Sequence, residues 1–416
     1  MIKDYLTHVK LFSANARLFL VGGIYNGIGF AVFQLLFNLY LKEYGYQEGQ
    51  IGQILSFGAI GAAMVAIPAA FLIERIQIKK ILVISMFLAS LAYILQVYFK
   101  EIKLIIIFAF LANMFITVYR VAGAPFIMRN SNKRERIYLF GISSGVWMMS
   151  ALLGSIAGGF LPRILKQFSL PVNLAYEISL YFSVGISFLS VIPFLKLQPK
   201  PIPKIKKRLL DQIRDYNWPL LTKMMIPKIM IGMGAGLVIP FMNLYFRNEF
   251  NLGPAPIGVI FAALQVVMFF GMISAPILTS RFGMLKSIVL TELISIPFML
   301  ILALTRQLPL AVIAFILRGA LMNMNIPISQ NFEMELVKEE QQPFTNALAS
   351  LSWSGAWAVS TLFGGTIIEK YSFSFSFYIT IILYLISAIC YYLFFRRSSF
   401  QSIPEIKELF PPKTTI

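Results

Sequence analysis

At 416 residues, of which 58% are hydrophobic and only 13% charged, with a mean hydropathy of +0.76, the chain is too apolar for a water-soluble globule, in which roughly a quarter of the residues carry charge. The formal net charge of +18 could serve nucleic acid, but the Lys and Arg residues sit in the connections between long apolar segments, which excludes a nucleic-acid surface and leaves the lipid bilayer as the partner. A lone cysteine, Cys390, rules out a disulfide framework and carries no information on redox compartment.

A bilayer core about 30 Å thick takes about 20 apolar residues per helix. Twelve such spans are predicted, over 16–41, 51–73, 81–99, 104–126, 138–161, 174–195, 219–246, 256–279, 287–304, 308–330, 344–368 and 374–395. The residues ahead of the first span are polar and mixed (Lys3, Asp4, His8, Lys10, Arg17), so no removable signal peptide is expected. Arg75, Lys79, Lys80, Lys133, Arg134, Lys204, Lys206, Lys207, Arg208, Arg396 and Arg397 all fall on the side of the chain ends. Basic loops stay in the cytoplasm, so both termini are expected to be cytoplasmic, in a prokaryotic plasma (inner) membrane.

In chain order, span one carries Tyr25, Asn26, Gln34 and Asn38 beside Gly27 and Gly29; Gln34 and Asn38 share a face, able to bond substrate or a facing helix. Span four carries Asn113, Thr117 and Arg120 at i, i+4, i+7, again on one face. Span five has Trp147 and the run Gly154-Ser155-Ile156-Ala157-Gly158-Gly159, whose small residues allow close helix approach. In span six, Ser179, Ser183 and Ser187 form a packing stripe.

The segment 198–217 is rich in Pro and Lys and reads as a cytoplasmic linker with a short amphipathic helix at 205–215. Span seven has Gly232, Gly234 and Gly236, with Pro240 as a kink. Glu292 lies inside span nine, Arg318 and Asn325 in span ten, Trp353 and Trp357 in span eleven. The division expected is 1–197, a first six-helix bundle; 198–217, the linker; 218–397, a second bundle; and 398–416, a cytoplasmic tail.

The two bundles are copies. Asn38-Leu39-Tyr40 recurs as Asn243-Leu244-Tyr245, an offset of 205. Ile51-Gly52 recurs as Ile257-Gly258, and Ser144, Trp147 and Gly158-Gly159 recur as Ser350, Trp353 and Gly364-Gly365, offsets of 206. Six spans per copy leave both copies in the same orientation, related by an axis along the membrane normal. At an offset of 205, Asn113 aligns with Arg318 and Arg120 with Asn325, so Arg and Asn exchange places between the halves.

The fold class expected is therefore all-α integral membrane, two pseudo-symmetric six-helix bundles. With a basic central loop as well, the chain resembles the major facilitator superfamily over nearly its whole length. That family's loop between spans two and three reads G-x-L-a-D-R-x-G-R-K. Here Leu72, Glu74, Arg75 and Lys79 hold its positions, and the repeat copy keeps Leu278, Arg281 and Gly283. The resemblance implies that Glu74, Arg75, Lys79, Arg281 and Gly283 belong to a charge lock between open states. Span five resembles the family's antiporter motif G-P-x-x-G-G with Ser155 at the Pro position. It further implies that spans one, four, seven and ten line a central cavity, and hence that Arg120 and Arg318 face it from opposite halves.

Charge at membrane depth defaults to a cavity or a partner, and Arg holds planar anions through paired bonds. The candidate substrate-binding set is Arg120, Arg318, Asn113, Asn325, Gln34, Asn38, Asn26, Trp147 and Trp353. For the arginines the competing role is satisfaction of backbone carbonyls or snorkelling to an interface. Spans one, four, seven and ten hold no predicted carboxylate, which leaves Glu74 or Glu292 as the fallback for coupling to a proton gradient.

No Gly-rich phosphate loop, metal cluster or nucleophile–base pair occurs in the pattern, so neither an ATP-fuelled pump nor an enzyme is expected, and no cofactor beyond a proton or ion gradient. The basic loop after span four and the acidic loop after span ten are expected to attract across the axis. The expected function is export of small amphiphilic compounds by a monomeric carrier. An organic-anion carrier is the alternative, and a non-transporting sensor of the same fold the alternative of another class.

Overall fold

Described in a computed structural model are residues 12–198, 216–338 and 341–396, apart from the side chains of Glu74, 133–137 and Pro343. Among them the chain is helical throughout, as a bilayer requires of a chain that must pair its own backbone groups. Span one is Ala14–Glu43, two Glu48–Arg75, three Ile78–Tyr98, four Ile102–Arg129 and five Lys133–Lys166. Span six is Val172–Phe188, continued after a short turn by Val191–Leu195. Spans eight to twelve are Pro254–Phe282, Met284–Leu304, Leu308–Glu335, Gln342–Lys370 and Phe373–Phe395. Span seven runs Trp218–Val238, breaks at the 3-10 turn Ile239–Phe241 around Pro240, and resumes as Met242–Phe250. The kink expected at Pro240 is present, because proline removes a donor and crowds the preceding turn.

Local chemistry sets the ends. The side chains of Ser13, Asn217 and Ser372 accept from Ala16, Leu220 and Phe375 backbone N–H groups and cap spans one, seven and twelve. Gly283 joins spans eight and nine in one step at φ +75°, a conformation open to glycine and strained for other residues. Among the described residues eleven helices are long and apolar enough to cross a membrane. The twelfth, span eleven, matches them in length with 29 residues, but Thr345, Asn346, Ser350, Ser352, Ser354, Ser360 and Thr361 dilute its apolar content. It packs against spans seven and two as an integral wall of the bundle.

Helix neighbours repeat between the halves. Span one packs on five and six, and span four on two and three; span seven packs on eleven and twelve, and span ten on eight and nine. Matched side chains do the same work: Tyr40 donates to the Val97 carbonyl at 2.8 Å, and Tyr245 to the Leu302 carbonyl at 2.8 Å. The halves meet where span two crosses eleven and span five crosses eight.

Every polar contact described between the halves lies toward the end of the bundle away from the chain termini. Arg247 pairs with Glu43 at 2.6 Å, Asn248 donates to Glu48 at 2.9 Å, and the Gly49 N–H donates to Glu369 at 2.8 Å. The Glu369 carboxylate thereby serves the N-terminus of span two, where the helix dipole favours negative charge. That end is closed, and the halves part toward the end carrying the termini. The expected helix at 205–215, the linker segment 199–215 and the tail 398–416 lie outside the described residues. Of the acidic loop expected to attract the basic one across the axis, Glu333 instead pairs with Lys228 and Glu335 accepts from Asn331, both within the second half. Residues 339–340 and the side chains of 133–136 are outside the described set.

Candidate functional site

Arg120 stands exposed on span four, in the opening, the part of the bundle where the halves separate. It lies nine residues from the termini end of span four, about 14 Å at helical rise. Its guanidinium sits over the ring of Phe30 from span one at 4.5 Å and over Trp147 from span five at 5.5 Å. The two rings are 5.8 Å apart. Arg120 remains exposed, and among the described residues it makes no hydrogen bond or ion pair. Its N–H donors are therefore free for a ligand, while the aromatic faces hold its cation in place. Trp147, itself 40% exposed, rests against Gly27, where a Cβ would approach its ring to 3.8 Å.

Gln34 lies one turn beyond Phe30 on span one, is exposed, and faces the same opening by helical spacing. Asn38, a further turn along, is buried. It donates to the Pro240 carbonyl at 2.7 Å and to Asn243 Oδ1 at 3.1 Å, while Asn243 donates back to the Leu35 carbonyl at 2.9 Å. These repeat mates form the floor of the opening. Asn26 points the other way, buried and accepting from Ser187 of span six at 3.0 Å. The half-buried Asn113 spends its amide on the Ala109 carbonyl of its own helix at 3.0 Å.

The second arginine is placed differently from the first. Arg318 is buried within the C-terminal bundle, donates to the Tyr384 hydroxyl of span twelve and lies 5.5 Å from that ring. The Tyr384 ring presses on Gly234 of span seven. Asn325 is likewise buried, tied to span nine through Thr291 Oγ1 at 2.8 Å and the Ile288 carbonyl at 3.1 Å. Arg318 and Asn325 therefore tie helices together in this state.

The Arg/Asn exchange between spans four and ten does not hold, because the register there is 206. Arg120 matches Ile326, both exposed; Arg318 matches Ala112, both buried; Asn325 matches Tyr119, both buried. Contacts agree, since Gly58 meets Asn113 where Leu264 meets Gly319. The offset is 205 at Tyr40 and Tyr245 but 206 here, and one residue of slip turns a helix face by about 100°.

On the opposite wall Trp353, the mate of Trp147, is 37% exposed and stacks near Trp357 with centroids 4.9 Å apart. Ile326 of span ten, which matches Arg120, is 45% exposed. Glu292 is buried with one carboxylate oxygen unpartnered and does not reach the opening. Arg75 and Arg281 are exposed, Lys79 is half-buried and Gly283 makes the turn described above; the Glu74 side chain is outside the described set.

Sequence patterning missed three features. Phe30 is one apolar residue among many. Lys228 of span seven and Glu333 of span ten form a buried ion pair at 2.6 Å, hidden because span ten continues past Pro327 into what reads as a loop. Gln330, Asn331, Gln342 and Asn346 line one cavity from two different spans.

No curated protein sequence matches the chain. Among solved structures it is similar to a bacterial homologue of the human lysosomal transporter Spinster in an inward-facing, unoccupied conformation (15% identity, 95% of this chain and 98% of the other, TM-score 0.75). It is similar also to a single-residue mutant of the nucleoside transporter NupG (13%, 91% and 100%, TM-score 0.76). A third is a bacterial homologue of the iron transporter ferroportin, inward-facing (12%, 90% and 97%, TM-score 0.74). At these identities the likeness shows the fold alone. The family description Major Facilitator Superfamily matches residues 19–223 and 224–412, nearly the whole chain, and the protein therefore belongs to the Major Facilitator Superfamily, a transporter and not an enzyme.

Proposed function

We propose that this transporter exports small amphiphilic anions across the plasma membrane by alternating access. The observation that carries the reading is Arg120, exposed in the opening with its donors free and its charge lying over both Phe30 and Trp147. An acidic group of a substrate pairs with that fork, and its apolar body lies against Trp353, Trp357 and Ile326. A lipophilic cation would instead meet an uncompensated positive charge.

The positive-inside bias orients the chain with its termini in the cytoplasm. The opening then faces the cytoplasm and loads from that side. One chain holds both walls, so a monomer suffices. Release requires the opposite end to open, which breaks Glu43–Arg247, Glu48–Asn248 and Asn38–Asn243 while the halves rock about the site.

Direction follows from charge. Moving one elementary charge across the membrane potential is worth about 2.3 kcal/mol per 100 mV, and in a cell negative inside that drives an anion out without a proton carrier. Reconstituted protein loaded with 2-naphthalenesulfonate tests this under potassium-diffusion potentials of either sign. Flux is expected to follow the potential and to fall at least ten-fold in Arg120→Gln. Flux that ignores the potential, or survives that substitution, sinks the reading.

A further inference from the structure

Below the level of Arg120, on the opposite wall, spans ten and eleven border an open, shallow cavity of about 490 Å³ lined by Pro327, Gln330, Asn331, Met334, Gln342 and Asn346. Four of the six are amides. Gln342 gives its Nε2 to the Met334 carbonyl at 3.2 Å, and Asn331 gives its Nδ2 to Glu335 at 3.2 Å, which leaves their carbonyl oxygens as acceptors. Gln330 and Asn346 are exposed and make no hydrogen bond among the described residues, so each offers donors and an acceptor. The lining therefore bonds in both directions and carries no net charge.

Its position ties it to the transport path. Ile326, the repeat mate of Arg120, begins the stripe that continues through Gln330 and Met334 one and two turns nearer the cytoplasmic mouth. On span eleven, Gln342, Asn346, Ser350, Trp353 and Trp357 succeed one another at i+4 and i+3, a single face leading from the amides to the aromatic wall. The N-terminal half has nothing equivalent, since Val121, Ala124 and Phe140 hold the positions of Pro327, Gln330 and Asn346.

We infer that this amide cavity is a second subsite, which selects substrates carrying a neutral hydrogen-bonding group, such as a hydroxyl or amide, at the end remote from the acid. The inference builds on the anion reading of Arg120 and narrows it: the cargo is an amphiphilic acid polar at both ends, charged at one and neutral at the other.

Binding of 2-naphthalenesulfonate, 6-hydroxy-2-naphthalenesulfonate and uncharged 2,6-dihydroxynaphthalene to the purified full chain, read by thermal stabilisation, separates the two claims. The hydroxylated acid is expected to bind about three- to ten-fold more tightly than its parent, the worth of one net hydrogen bond. The double variant Gln330→Ala/Asn346→Ala is expected to erase that preference and weaken the uncharged diol. Arg120→Gln is expected to weaken both acids and spare the diol.

Equal binding of the two acids to the unaltered protein, or a preference that outlives the double variant, overturns the subsite. Acids indifferent to Arg120→Gln overturn the anion reading alone. Each single substitution carries the same expectation at smaller size, so aggregation of the double variant does not shield the proposal.

Discussion

Gly52 of span two lies backbone to backbone against Gly365 of span eleven, so close that a Cβ on Gly52 would stand 3.1 Å from the Gly365 Cα. Their repeat mates do the same across the axis, where a Cβ on Gly258 of span eight would stand 2.8 Å from the Gly159 Cα of span five. Two glycine crossings, one on each side of the pseudo-twofold, thus seal the end away from the termini. The atoms in the way are backbone and cannot swing aside as a flexible side chain would.

Valine at Gly52 or Gly258 therefore penalises this state and spares the one in which that end is open. The expected shift is at least ten-fold in population, about 1.4 kcal/mol. A cysteine placed at Ser56, which is buried and bonded to the Ala358 carbonyl at 2.6 Å, reports it in a Cys390→Ser background. Its labelling from the far side should accelerate by that factor in Gly258→Val, and unchanged labelling would refute the seal.

Asn38 and Asn243 lock the floor across the axis, Asn38 donating to Asn243 Oδ1 and to the Pro240 carbonyl, and Asn243 to the Leu35 carbonyl. Asn38→Leu strands the Pro240 carbonyl and takes one donor from Asn243 Oδ1, a cost of about 1–3 kcal/mol. Asn38→Leu with Asn243→Leu removes both partners, so the pair should lose less than the sum of the single losses, with a coupling of about 0.5–3 kcal/mol. Melting temperatures of the four proteins close the cycle, and strict additivity would mean that the two asparagines act independently.

What could be read in advance follows from what a pattern encodes. The repeat was visible because Asn38-Leu39-Tyr40 and Asn243-Leu244-Tyr245 keep residue type and order. That these mates touch each other was not visible, since equivalence under an axis carries no distance. The small-residue run of span five announced close packing, and its partner on span eight came only with the fold.

Arg120 and Arg318 look alike as charges in apolar helices. They differ because they are not repeat mates: Arg318 holds the buried position of Ala112 and turns to Tyr384, whereas Arg120 holds the exposed position of Ile326. The amide cavity was illegible for a simpler reason: Gln330 and Asn331 stand on one helix, Gln342 and Asn346 on the next, and a polar helix end reads as loop.

Lys228 and Glu333 join spans seven and ten inside the C-terminal half, with Glu333 1% and Lys228 15% exposed at the side chain. Such a pair owes little net stability to its own attraction, but breaking it leaves a buried charge, which costs about 3–5 kcal/mol. Lys228→Met is expected to lower the melting temperature markedly, and Lys228→Met/Glu333→Met to recover most of the loss. A single variant as stable as the parent would show that water reaches the pair.

Arg120 works through shape as well as charge, and the two can be separated. Arg120→Lys keeps the positive charge but loses the planar face over Phe30 and Trp147 and the paired donors. A cation–aromatic contact is worth about 0.5–2 kcal/mol depending on how dry it is, so KM for 2-naphthalenesulfonate should rise about three- to thirty-fold with kcat within about two-fold. Trp147→Leu removes one of the same faces and should raise KM by a smaller factor. The double variant should be little worse than Arg120→Lys alone, because the stacked guanidinium is already gone. Asn113→Ala is the control on the same span, for its amide is spent on the Ala109 carbonyl and its removal should leave KM unchanged. If Arg120→Lys transports like the parent, the rings merely line the wall and charge alone recruits the anion.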